Sequence, residues 1–212
     1  MLPLETLSAF FAVAVVLALA PGPDNIFVLT QSATSGWRAG LLVTLGLSTG
    51  IIFHSAAVAL GVSAIFKSSE LAFSLVKYVG AAYLLYLALG AFRAKPMQLD
   101  AEGSKAQSVA VNARALYLRG VIMNITNPKV AIFFLSLLPQ FVSPEHGALL
   151  PQFLQLGACF MLVTLLVFGG IALAAGHVGQ RLFASQTAQN VMNKVTSLVF
   201  VGLALKLATA TR

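Results

Sequence analysis

The sequence predicts an all-α fold, a polytopic membrane helical bundle of six transmembrane helices in two inverted three-helix halves with proline-broken lead helices. Three observations carry this. The chain is 58% apolar and only 9% charged, with a mean hydropathy of +0.90, whereas soluble domains carry roughly 25% charged residues. Its apolar residues fall into six runs, long enough for the roughly 20 helical residues that cross a hydrocarbon core. The first and fourth runs contain Pro21-Gly22-Pro23-Asp24-Asn25 and Asn127-Pro128-Lys129. These put helix breakers and charges where a simple anchor would continue undisturbed.

In chain order the runs cover about 4–34, 39–66, 71–92, 116–142, 148–176 and 190–210. The first is too long for one straight crossing and breaks at Pro21 to Pro23; the fourth breaks at Asn127-Pro128. Proline removes a backbone donor, clashes with the preceding turn and biases the residue before it away from helix. Each break therefore frees backbone groups, which are tolerated at membrane depth only where protein buries them or they line a cavity. The fifth run is the cleanest. The sixth is the weakest, because Lys194 and Lys206 leave a short uncharged stretch between them. If both do not snorkel to headgroups, the count falls to five.

The whole chain, 1–212, reads as a single transmembrane domain: a first half over about 1–92, a connection over about 93–115, and a second half over about 116–212. The polar stretch from Arg93 to Arg119 holds Arg93, Lys95, Lys105, Arg114 and Arg119 against Asp100 and Glu102, a basic excess that marks a cytoplasmic segment. Counting outward puts Arg38 and Arg181 inside, Glu145-His146 outside and, with six spans, both termini outside. Lys67, beside Glu70, falls on the other side from the rule. Three spans per half make the halves enter from opposite faces, and paired interruptions in their lead helices point to a transporter's midplane site.

Other classes fit less well. The net charge of +7 is spread over connections, so membrane orientation accounts for it better than nucleic acid does. Cys159 is the single cysteine and has no partner for a disulfide or a CxxC site. His54, His146 and His177 are dispersed, so no metal and no cofactor is expected. Ala18-Leu19-Ala20 has the look of a signal cleavage site, but Glu5 stands before the apolar run without Lys or Arg and Pro21 follows, so the first run is expected to remain. Gly46-Leu47-Ser48-Thr49-Gly50 matches the G-x-S-x-G pattern with His54 nearby, which makes an intramembrane serine hydrolase the remote rival. A nucleophile elbow needs a strand-to-helix turn, whereas Gly46 and Gly50 read as a small-xxx-small packing face.

The stretches PGPDNIFVLTQSATSGWRAGLLVTLGLSTG, from Pro21 to Gly50, and NPKVAIFFLSLLPQFV, from Asn127 to Val142, resemble the LysE/RhtB family of amino-acid exporters, as does the spacing of the spans. The resemblance covers essentially the whole chain. It implies a multi-pass protein of the bacterial inner membrane that exports amino acids or close derivatives of threonine, homoserine, leucine or lysine type, with protons as the exchange partner. Composition and spacing alone reach only "transporter", and leave export of another small solute or cation, or a scaffold, open.

Asp24 opens the second part of the broken lead helix, where a carboxylate caps free N–H groups. Insertion scales charge roughly 2.5 to 3.5 kcal/mol for Asp at membrane depth, a cost Asn or Ser avoids, so Asp24 is also a candidate to bind a substrate ammonium or carry the coupling proton. Half-helix N-termini at Pro23 and Pro128 offer N–H groups to a substrate carboxylate. Asn25, Asn124 and Asn127 suit a zwitterion or satisfy freed backbone. Lys129 has three readings: neutralising Asp24, binding a carboxylate, or snorkelling. His54 is either a proton relay or a hydrogen-bonded bundle histidine. Pro21, Gly22, Pro23 and Pro128 shape the breaks, and the oligomeric state is open, since glycine faces pack helices within one chain or between two.

Overall fold

The computed structural model describes residues 1–68, 70–94, 112–175 and 185–209, and these are helical without a strand. Lys95, Asp100, Glu102, Lys105, His177 and Arg181 lie outside the described residues. Helix α1 (Leu4–Leu19) stops where Pro21 cannot donate to Leu17 O. Helix α2 (Pro23–Ser35) restarts with proline at its first position, where the missing N–H is no loss. It ends at Gly36, whose φ of +86° suits glycine. The two helices are bent by 65°.

Helices α3 (Trp37–Ser68) and α4 (Glu70–Arg93) complete the first half. In the second, α5 (Ala113–Ile125) is capped by Asn112, which accepts from Ala115 N at 3.1 Å. Then α6 (Pro128–Leu137) restarts at Pro128, bent by 49° from α5 when its 3-10 continuation Leu138–Phe141 is included. A second 3-10 turn, Pro144–His146, leads to α7 (Leu149–Ala174) and α8 (Gln186–Thr209). By length and composition, four single helices and the two bent pairs give up to six crossings. The uncertain sixth run is a helix from Gln189 to Thr209 by the same measure; its Lys206 ammonium rests over the Phe141 ring at 5.2 Å.

Residue contacts fix the relative directions. Gly46 meets Gly120 and Gly50 meets Asn124, so α5 runs parallel to α3. Gly40 meets Ala172 and Gly157 meets Ser55, so α7 runs antiparallel to α3. Gly80 touches Leu207 and Asn193 donates to Ala94 O at 3.2 Å, making α8 antiparallel to α4. The second and fourth spans thus run parallel, as alternate crossings of one chain do.

The α3–α5 contact is backbone on backbone. A methyl group on Gly46 would lie 2.1 Å from the Tyr117 carbonyl oxygen, and one on Gly120 would lie 2.4 Å from that of Val43. The Gly46 to Gly50 face therefore packs within the chain. Ser48 sits mid-helix between these contacts, on no strand-to-helix turn, which removes the structural basis of the hydrolase reading.

On one side of the breaks, α1, α6 and α7 pack an aromatic cluster. Phe10 stacks edge-on against Phe141 at 5.2 Å, and Phe160 against Phe134 at 5.1 Å, with Phe133 between them. Phe10, Phe133 and Phe134 are essentially inaccessible. Such rings seal that side by area and by edge-to-face geometry.

Candidate functional site

Each proline break frees carbonyls, and a side chain of the opposite half reaches across to each break. Pro21 has no N–H for Leu17 O; the Lys129 ammonium, from α6, donates to Leu17 O at 3.2 Å and to Ala20 O at 3.0 Å. Asn25 donates to Ala18 O at 2.8 Å. In the second half Pro128 has no N–H for Asn124 O, which lies 3.0 Å from His54 Nε2, on α3, and also accepts from Asn127 N. A carbonyl only accepts, so His54 Nε2 carries the proton. The arrangement is reciprocal: a cation of half two caps the break in half one, and a histidine of half one caps the break in half two.

The N-termini of α2 and α6 meet at a second link. Asn127 is the N-cap of α6, where its Oδ1 accepts from Lys129 N at 2.9 Å. Its Nδ2 donates to Asp24 Oδ2 at 2.7 Å. Asp24 is in the first turn of α2, whose N-cap is Gly22, and no side chain caps that end. The carboxylate thus bonds the other half rather than its own backbone, and the plain capping reading does not describe it. Asp24 Oδ1 is buried and has no hydrogen-bond partner, as are Asn25 Oδ1 and Asn124 Oδ1.

Lys129 is buried and does not snorkel. Its charge and that of Asp24 interact without a direct hydrogen bond. An ammonium has three donors, and two of them are spent on Leu17 and Ala20. A methyl on Gly22 would stand 3.1 Å from Nζ, close enough that the ammonium would have to shift by a few tenths of an ångström. The backbone of Gly22 is extended, a conformation any residue adopts, so the constraint is space.

A cavity of about 370 Å³ opens at this break, lined by Ala20, Pro21, Tyr86, Gly90, Arg93 and Lys129 among others. Arg93 ends α4, so the cavity lies on the side of the α4–α5 connection, opposite the aromatic cluster.

The structure brings Asp24, Asn25, Asn127 and Lys129 together at the first break and sets His54 with Asn124 at the second. His54 also packs on the Phe134 ring at 5.6 Å. Gly50 leaves room for the Asn124 side chain, which a methyl group would meet at 2.6 Å. Sequence reasoning missed the cavity wall of Tyr86 and Arg93, for which the only signal was a basic residue at the end of a run. It also missed Ser55 and Thr164, buried hydroxyls without partners on α3 and α7. Among the described residues, no group of three or more His, Cys, Asp or Glu could hold a metal ion.

Comparison with known proteins agrees with this architecture. The family model described as LysE type translocator matches residues 15–211. A membrane protein of Vibrio cholerae serotype O1 is 34% identical over 95% of this chain and 96% of its own length. The membrane protein YrhP of Bacillus subtilis is 30% identical over 96% of this chain and 98% of its own. The homoserine/homoserine lactone efflux protein of Salmonella typhimurium is 30% identical over 95% of each. No solved structure matches.

Proposed function

The chain belongs to the LysE type translocator family of membrane transporters, and we propose that it exports amino acids or close derivatives from the bacterial cytoplasm across the inner membrane in exchange for protons. The observation that carries the reading is Asp24: a buried carboxylate at the meeting of two half-helix N-termini, one oxygen held by Asn127 and the other free. A free carboxylate oxygen takes either a substrate ammonium or a proton, and competition between them is an exchange mechanism. Lys129 and the N-terminus of α6 supply the positive side for the substrate carboxylate.

The geometry supports one access state. With the basic α4–α5 connection on the cytoplasmic side, the cavity beside Lys129 opens inward and the Phe10–Phe141–Phe160 packing closes the outer side. Helix α1 has 16 residues, a rise of roughly 24 Å, so the break falls inside a hydrocarbon core about 30 Å thick. Export then requires the aromatic side to part and the cavity to close.

The test is a screen of efflux and tolerance across the amino acids in cells expressing the chain, followed by counterflow in proteoliposomes. The reading expects accelerated exchange of at least one amino acid, stimulated by an inward proton gradient. Exchange of no amino acid by correctly folded protein would contradict it.

A further inference from the structure

We propose that the cytoplasmic end of the α3–α5 pair binds an anionic phospholipid, its phosphate held between Arg38 of the first half and Arg114 of the second. The two helices run parallel and touch backbone to backbone, Gly46 against Gly120, and that contact fixes the heights of their other residues. Arg38 stands before Gly46 and Arg114 before Gly120, roughly 12 Å and 9 Å back along their axes at 1.5 Å per residue. The two arginines therefore lie within about 3 Å of one height. A turn of 3.6 residues also swings both to the same flank of the pair. On that flank the Tyr117 hydroxyl donates to Thr49 Oγ1 at 3.0 Å, one helix to the other.

Both arginines are exposed, and among the described residues neither makes an ion pair. The Arg38 guanidinium sits over the Trp37 ring at 5.3 Å. Stacking engages the face of a guanidinium and leaves its edge N–H donors free. Trp37 is itself 47% exposed, as aromatic residues at the headgroup level are. Two forks of donors from neighbouring helices suit one phosphate, which charged hydrogen bonds hold strongly. Toward the bilayer centre the same flank turns apolar, with Leu45 and Ile52 of α3 and Ile125 of α5 exposed. A headgroup site that continues into a track for acyl chains has the shape of a phospholipid, whereas a free phosphate ion would use only the arginines. Basic pockets between membrane helices on the cytoplasmic side bind lipid headgroups in this way. Because α3 and α5 belong to different halves, a lipid held here ties the halves together in the inner leaflet.

The experiment uses the full chain in a neutral detergent, with native mass spectrometry to measure lipid affinity and thermal melts to read its effect. Phosphatidylglycerol should bind and raise the melting temperature by several degrees. Phosphatidylcholine, whose fixed cation the arginines repel, should do neither at the same concentration. Arg38→Gln combined with Arg114→Gln should weaken phosphatidylglycerol binding about 10- to 100-fold, the range lost charged hydrogen bonds span, and leave the lipid-free melting temperature nearly unchanged. Arg114→Gln alone should lose severalfold and serves if the double variant does not fold. The control removes two charges elsewhere, Arg119→Gln with Lys194→Gln; Arg119 stacks on Phe27 of α2 at 4.4 Å, away from this flank. It should bind the lipid as the wild type does. Wild-type affinity in the Arg38 and Arg114 variants, or an equal loss in the control, overturns the site. Equal protection by inorganic phosphate alone makes it an anion site without a lipid and overturns the proposal as well.

Discussion

Asn127 Nδ2 donates to Asp24 Oδ2 at 2.7 Å, tying the first turn of α2 to the N-cap of α6 across 103 positions of sequence. The same Asn127 side chain holds the backbone of α6 through its other atom, so one residue fixes both half-helices. Asn127→Ala should therefore cost more than an ordinary cap. Loss of a cap and of a charge-assisted bond together suggests about 2–4 kcal/mol, read as a lowered melting temperature in detergent. Asn127→Asp places a second carboxylate beside Asp24 and should be worse than Ala at neutral pH. A melting temperature within a degree of wild type for both would contradict the link.

Lys129 caps α1 and balances Asp24, and its removal leaves both the carbonyls and the carboxylate uncompensated. Lys129→Met should destabilise by about 3–5 kcal/mol and abolish exchange. Because the two charges are coupled, Asp24→Asn combined with Lys129→Met should be more stable than the sum of the single changes predicts. Strict additivity in thermal melts would mean the charges act independently.

His54 tests the reciprocal cap. Gln carries an N–H donor and Ala does not, so His54→Gln should retain most of the stability and the pH response of transport, while His54→Ala loses about 1–3 kcal/mol. If His54 instead relays protons, the Gln protein will lose its pH response while remaining folded, and the cap will not be its main task.

The α3–α5 crossing makes a sharper packing prediction. Gly46→Val drives a side chain into the backbone at Tyr117 and should cost at least the upper end of the about 1–3 kcal/mol typical of overpacking, seen as loss of folded protein. Ser48→Ala, between the same contacts, should leave exchange within about twofold of wild type. Loss of function on removing that hydroxyl alone would revive the hydrolase alternative.

These predictions rest on features of unequal visibility in the sequence. Pro21, Pro23 and Pro128 announce the breaks because proline's lost donor is a local property, and the apolar runs give the spans because length and composition suffice. The partners of the freed carbonyls were not legible. Lys129 reaches Leu17 O across 112 positions and His54 reaches Asn124 O across 70, and no periodicity in a uniformly apolar helix says which way it is rotated. The same blindness hid the cavity: Arg93 looked like one more basic residue in a connection, and Tyr86 like one more aromatic residue in a span. Gly46 and Gly50 were legible as a packing face, but that the face is filled by α5 of the same chain is a fact of the fold.

The central claim is that Asp24 is the group shared by cargo and proton. The direct measurement is the rate of amino-acid exchange in proteoliposomes as a function of the imposed pH difference, for wild type and Asp24→Asn. Asn keeps the size and can still accept from Asn127 Nδ2, so the tie between the half-helices survives, while the lost balance for Lys129 lowers the melting temperature and the comparison is made on folded protein. The account predicts that wild-type export accelerates as the receiving side is acidified and that the Asp24→Asn protein shows a flat, much reduced response. An Asp24→Asn protein with the wild-type rate and the wild-type pH response would contradict it.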